Sequence, residues 1–316
     1  MPAIRGASAG VLLGERWSRK IVMRKSTSFF LASIFPLTIA CSSSSPDTSI
    51  DDADDSAASD AGSAVNDGGS TTGPNDAGTT TKDGGGTTPK GACKYTANAT
   101  GLQSGQQAGG LAFHTYAPTT YDASVAHTVV VIMHGQDSDG TSELTSLWQP
   151  IADANQLVLL APKGSQPSTD PTDYPNGANW SVNDLNNVQD LVSDIDDCYN
   201  VDAHKHILWG FSEGCFYGYL LGIGAATQFS GLAMGGANAS FARENGYPPS
   251  AETWHIPVSH VIGTSDPNGT AQSEQDKADF IAAGSVFTLY EPNQGHTITE
   301  AQVLQQFMDL KNSSSP

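Results

Sequence analysis

Three residues stand in an order that suits nucleophilic catalysis: Ser212, Asp266 and His296. A serine hydroxyl is a poor nucleophile at its free pKa. It needs a base within hydrogen-bond reach, and the base needs an acid to orient it. Ser212 is the centre of Gly210-Phe211-Ser212-Glu213-Gly214, a G-x-S-x-G pentapeptide. Ile207, Leu208 and Trp209 precede it as a buried strand would, and Cys215 to Ile223 suits a helix. Strand, tight turn and helix are the setting of a nucleophile elbow. Glycines on both sides let strand and helix pass close together. The helix start then favours a developing negative charge. The pentapeptide by itself also describes an ordinary strand-to-helix turn. A second copy, Gly6-Ala7-Ser8-Ala9-Gly10, has no strand before it and reads as accidental.

Asp266 follows the apolar run Val258 to Ile262, at the C-terminal edge of a strand. Asp276 and Asp279, in the next helix, compete with it as the orienting acid. His296 follows the run Val286 to Tyr290 on a loop entering the last helix. Of eight histidines it alone is late enough and on the right kind of loop. The backbone N–H groups of Glu213 and Gln136 are the candidate oxyanion donors, by position. Glu213 is an oddity, since a carboxylate beside an oxyanion opposes it unless it turns away or pairs. His134 and Trp180 are the candidate substrate-binding residues. Trp180 reads equally well as a wall of the acyl or leaving-group pocket and as a core or rim aromatic.

The elements that must position these residues are legible as alternating strands and helices. Leu111 to Ala117 alternates as a strand, and Val129 to Met133 is a β-branched run buried on both faces. Thr141 to Gln156 predicts a helix, Leu157 to Pro162 a strand and Leu185 to Tyr199 a second helix. A long polar loop spans Lys163 to Trp180. Strands follow at Gly231 to Gly236, His255 to Gly263 and Val286 to Tyr290, with helices near Ser273 to Ala283 and Glu300 to Leu310. This alternation predicts an α/β fold, a mostly parallel central sheet with helices on both faces. Little chain separates the Gly231 to Gly236 strand from Asp266, so no large lid domain is expected.

The chain has 316 residues and a formal net charge of −19. From Gly91 on, 23 acidic and 6 basic residues remain. That surface repels nucleic acid and suits neutral substrates. Residues 1–41 read as a targeting segment: Met23-Arg24-Lys25, then an apolar stretch from Phe29 to Ala40. It ends Leu37-Thr38-Ile39-Ala40-Cys41, similar to a bacterial lipoprotein signal with Cys41 lipidated. Thr38 stands where leucine is usual, and a simple secretory signal is the other reading. Translation starts at Met1 or Met23. Residues 42–90 are Asp, Gly, Ser and Thr with few large apolar side chains, as in a disordered acidic linker. Residues 91–316 form the expected catalytic domain, monomeric and extracytoplasmic, touching a membrane only through the anchor. Cys93, Cys198 and Cys215 leave one disulfide and one free thiol, with the pairing open. No cysteine has zinc-ligand spacing, and neither metal nor cofactor is expected.

From Phe113 to Leu310 the chain resembles secreted α/β-hydrolases of the polyhydroxybutyrate depolymerase, feruloyl esterase and acetylxylan esterase type. The resemblance rests on Tyr116-Ala117-Pro118, His134-Gly135, Trp148 with Ile151-Ala152-Asp153, Pro162, Asn179-Trp180, Val201-Asp202, the pentapeptide, Asp266 and Gly295-His296. Glu213 departs from the small or amide residue usual in that group, and Cys215 from its glycine. The resemblance implies that Ser212, Asp266 and His296 form a triad. It also implies an α/β-hydrolase fold and hydrolysis of a small or polymer-attached carboxylic ester through an acyl-enzyme. A catalytically silent surface-binding module on the same fold is the alternative.

Overall fold

The computed structural model describes residues 91–251 and 254–315. The targeting segment, Cys41, the acidic linker and the second G-x-S-x-G copy lie outside the described residues. Eight strands form the main sheet: β1 (Gly101–Ala108), β2 (Leu111–Ala117), β3 (His127–Met133), β4 (Val158–Pro162), β7 (Val201–Phe211), β8 (Gly231–Gly235), β9 (Val258–Val261) and β10 (Phe287–Tyr290). Two short strands, β5 (Gln166–Pro167) and β6 (Ala178–Asn179), pair separately within the long polar loop. The helices are α1 (Gln149–Asn155), α2 (Asp184–Cys198), α3 (Glu213–Gly224), α4 (Ser240–Glu244), α5 (Thr270–Ala282) and α6 (Glu300–Leu310).

The sheet runs in the order β1-β2-β4-β3-β7-β8-β9-β10. Its first three neighbours pair antiparallel, and every pair from β4 to β10 is parallel. Parallel strands require covering layers on both faces, and β3 shows why its sequence is continuously apolar. Val129, Val131 and Met133 pack toward α2 and α3, in one core cluster. Val130 and Ile132 join the other cluster, with Ile151 of α1 and Val303, Phe307 and Leu310 of α6. Period two along the strand thus feeds two cores at once.

Most expected elements are present, with ends shifted by a few residues. The helix expected at 141–156 is a single helical stretch whose middle, Glu143–Trp148, winds as π turns. The strand expected at His255 to Gly263 is only Val258–Val261. β1 was not expected, because its polar sequence has no apolar period; it is an edge strand with a bulge near Gly105. Between β8 and β9 the described chain holds α4 and one short turn of 3-10 helix.

The open cysteine question resolves as Cys93–Cys198, with Cys215 free and buried. The bond ties the start of the domain to the end of α2, across a separation of 105 residues. Closing so long a loop restricts the unfolded chain. The double variant Cys93→Ser/Cys198→Ser is therefore expected to lose about 2–5 kcal/mol of unfolding free energy, measured by denaturant titration.

Candidate active site

Ser212 sits between β7 and α3 with φ 57° and ψ −121°, a conformation side-chain-bearing residues rarely adopt. Its neighbours explain how the turn is held. A Cβ on Gly210 would lie 2.3 Å from the Gly214 carbonyl oxygen, and one on Gly214 would lie 2.1 Å from that of Met133. The Ser212 N–H donates to the Gly235 carbonyl at 3.0 Å, and its own carbonyl accepts from Cys215 N–H at 3.0 Å.

Asp266 and His296 arrive on loops that are zipped together. Thr264 N–H donates to the Pro292 carbonyl and Ser265 N–H to that of Gln294, both at 3.0 Å. Gly263 allows this approach, since a Cβ there would stand 2.3 Å from the Gln294 oxygen. His296 Nδ1 lies 2.9 Å from Asp266 Oδ2, and its Nε2 lies 2.9 Å from Ser212 Oγ. Asp266 is buried, and its other oxygen accepts from Asn268 N–H. With the proton on Nδ1 facing the carboxylate, Nε2 is left to accept from the serine hydroxyl. That chain can raise the nucleophilicity of the hydroxyl. Phe211 lies against the imidazole, ring centres 5.0 Å apart. Asp276, the competitor, is fully buried and engaged by Arg243 and the Ala239 N–H; Asp279 also pairs with Arg243.

Ser212 and His296 open on a cleft of about 660 Å³, with Asp266 buried behind them. Residues 135–139, Ser142 and Glu143 line it, with 174–177 of the long loop and Phe211, Ser212 and His296. Gln136 is at this surface, its side-chain amide held by Thr169 Oγ1 at 2.9 Å. Gly135 brings that segment close, since an added Cβ would meet Ser212 Cβ at 3.5 Å.

His134 and Trp180 do not line the cleft, which corrects their expected role in substrate binding. His134 is fully buried, its ring bonded to the Gly135 carbonyl and the Gly164 N–H. Burial keeps it below the usual histidine range. Trp180 stacks on it at 4.7 Å and donates its indole N–H to the His134 carbonyl. The pair pins the base of the long loop; the wall itself is Tyr174 to Gly177.

Sequence reasoning missed the latch that fixes this wall. Asp137 accepts from the Thr169 N–H at 2.6 Å and from Thr169 Oγ1 at 2.7 Å, and from the Asn179 amide at 3.2 Å. Burial pushes the Asp137 carboxyl up, but the bonds from Thr169, Ser168 and Asn179 outweigh it and hold the group at about 2. Thirty-two residues separate the partners, and no local pattern announces the pair. Glu143, on the π turns, accepts from Ser138 Oγ at 2.8 Å and Ser142 Oγ at 3.0 Å. Glu213, the first residue of α3, is half-buried and outside the cleft lining. Among the described residues no group of three or more His, Cys, Asp or Glu side chains is placed to hold a metal ion.

The sheet order, the strained serine turn and the two C-terminal-edge loops make this an α/β-hydrolase fold. No family model matches the chain. A bifunctional acetylxylan esterase/xylanase of Neocallimastix patriciarum is 24% identical over 165 residues, covering 51% of this chain and 22% of that protein. The chain therefore spans about a fifth of the curated relative it matches. Among solved structures, a protein of Bacteroides ovatus described as a dipeptidyl aminopeptidase IV superposes with TM-score 0.52 at 12% identity, over 69% of this chain and 36% of its own. A ferulic acid esterase from the anaerobic fungus Anaeromyces mucronatus gives TM-score 0.48 at 15% identity, over 64% and 84%.

The glycine contacts lead to a first test at this site. Gly214→Ala forces a methyl group into the Met133 carbonyl. It is expected to cost about 2 kcal/mol or more, read by thermal or denaturant unfolding.

Proposed function

We propose that the protein is a serine carboxylic-ester hydrolase. The observation that carries this reading is the unbroken hydrogen-bond chain Ser212–His296–Asp266 at the mouth of an open cleft. Ser212 attacks the ester carbonyl while His296 takes its proton. Asp266 holds the imidazole in the acting tautomer and stabilises the imidazolium. His296 then protonates the departing alkoxide, and water releases the acyl-enzyme by the same route in reverse. The backbone N–H of Glu213, at the unpaired start of α3, and that of Gln136, beside Ser212, are the donors for the oxyanion.

The esterase half of the fungal relative's name supports ester hydrolysis as the reaction class. The substrates we propose are esters of the acetyl-polysaccharide, feruloyl or polyester kind. A cleft walled by Asp137, Asp139 and Glu143 disfavours anionic acyl or leaving groups. The Cys93–Cys198 disulfide supports an extracytoplasmic location. Anchoring through a lipid on Cys41 and a monomeric state belong to the same proposal.

Fluorophosphonate labelling is the direct test. Wild type is expected to label at one site, and Ser212→Ala to lose the label; equal labelling of both proteins overturns the assignment. Asp266→Asn is expected to lower kcat by about 10⁴ with little change in KM. Binding of acetylated xylan or polyhydroxybutyrate with no turnover of p-nitrophenyl acetate or butyrate would instead identify a silent binding module.

A further inference from the structure

Glu213 follows the nucleophile directly, yet its carboxyl is not in the cleft. The side chain is half-buried, and Oε2 has no access to water and no hydrogen-bond partner. An ionised carboxylate with one oxygen in that condition loses hydration and donors at that oxygen, which is costly. What faces it makes ionisation harder. Asp137, on the loop after β3, and Asp184, the first residue of α2, both repel a negative charge there. Tyr217, one turn further along α3, is a neutral phenol pushed up to about 12 by burial and by Glu213 and Asp184 themselves. From the long loop, the Trp180 backbone N–H is the one donor that favours the anion. His134, under Trp180, is held neutral by burial and supplies no charge. Among the described residues none of the groups bearing on Glu213 is cationic. The start of α3 favours an anion, but that effect is smaller than the cost of burying an unpaired carboxylate.

We propose that the active form of the enzyme carries a proton on Glu213, and that losing this proton switches the site off. The inference rests on the esterase reading given above. Protonated, Glu213 places no charge behind the amide that faces the oxyanion. Ionised, it sets a full negative charge on the very residue whose N–H must stabilise one. Burial, with Asp137 and Asp184 adding to it, moves the carboxyl from the ordinary 4.5 up to about 7, so the switch falls near neutral pH. Glu213 is thus a positioning residue acting through its own backbone, and its ionisation sets an alkaline limb on the rate.

The test compares the full-length wild type, Glu213→Gln and Glu213→Ala. The kcat/KM for p-nitrophenyl acetate is followed from pH 5.5 to 9.5 with the uncatalysed rate subtracted. Wild type is expected to lose about tenfold per pH unit above the transition, while both variants stay flat over that range. An alkaline fall of the same size and midpoint in the variants overturns the proposal. A second readout does not depend on catalysis. Because the folded state binds the Glu213 proton more tightly than the unfolded state, this group's stabilisation is lost as pH rises from about 4.5 through about 7. The melting temperature of wild type is expected to fall relative to Glu213→Gln between pH 5 and 8.5. Parallel curves overturn the proposal, whether or not any ester is turned over. Wild type without turnover but with diverging melting curves removes the esterase reading and keeps the proton on Glu213.

Discussion

Backbone packed directly on backbone around Ser212 is the constraint that the rest of the site depends on. Gly210 and Gly214 carry no Cβ because carbonyl oxygens occupy those positions. The contact presses α3 against β3 and β7 and leaves Ser212 at a positive φ, with its hydroxyl bonded to His296. Such strain persists only where neighbours over-determine it. Here the Gly235 carbonyl on β8 and the first turn of α3 fix the residue from both sides. A hydroxyl held this way takes its bearing on His296 from the backbone that carries it.

The other two members of the chain gain their precision differently. Neither lies on a helix or strand. Their loops are cross-linked by main-chain hydrogen bonds between 264–265 and 292–294, which fix one against the other. α6 follows directly, capped by Thr299 and Gln302 in a reciprocal pair, and its apolar face is part of the core under β8 and β9. A side chain on a short loop is thereby as well placed as one on a regular element. The long loop is fixed by a third means. Asp137 takes the Thr169 N–H and hydroxyl, while Trp180 closes the loop onto His134.

Periodicity made the scaffold legible, because a parallel sheet covered on both faces leaves long apolar runs that nothing polar interrupts. Val129 to Met133 and Ile207 to Trp209 are such runs, and both are buried. β1 escaped notice for the opposite reason, since an edge strand with one partner can be built from Gln, Ser and Gly. Ser212, Asp266 and His296 were legible as positions, each following a strand at the edge where this fold gathers its loops. Residue type misled for His134 and Trp180. An aromatic and an imidazole near a cleft suggest recognition, and only burial shows that each is spent on the other. The pairing of Asp137 with Thr169 could not be read at all, because it joins residues far apart in the chain through ordinary polar side chains.

Two carboxyl groups close to the serine turn end in opposite states, and the difference lies in what surrounds them rather than in the acids. Asp137 is half-buried and surrounded by donors: two from Thr169, one each from Ser168 and Asn179. It stays ionised and uses its charge to hold the cleft wall. Glu213 is half-buried beside the Trp180 N–H with one oxygen sealed from water and unsatisfied, and Asp137 itself adds to the repulsion. The latch that shapes the cleft therefore also keeps the proton on Glu213. Environments that push two acids apart in this way are how one site assigns them separate tasks. The acidic residue beside the serine, which by sequence looks opposed to a developing oxyanion, is compatible with one because its surroundings withhold water from one carboxyl oxygen and supply no counter-charge among the described residues.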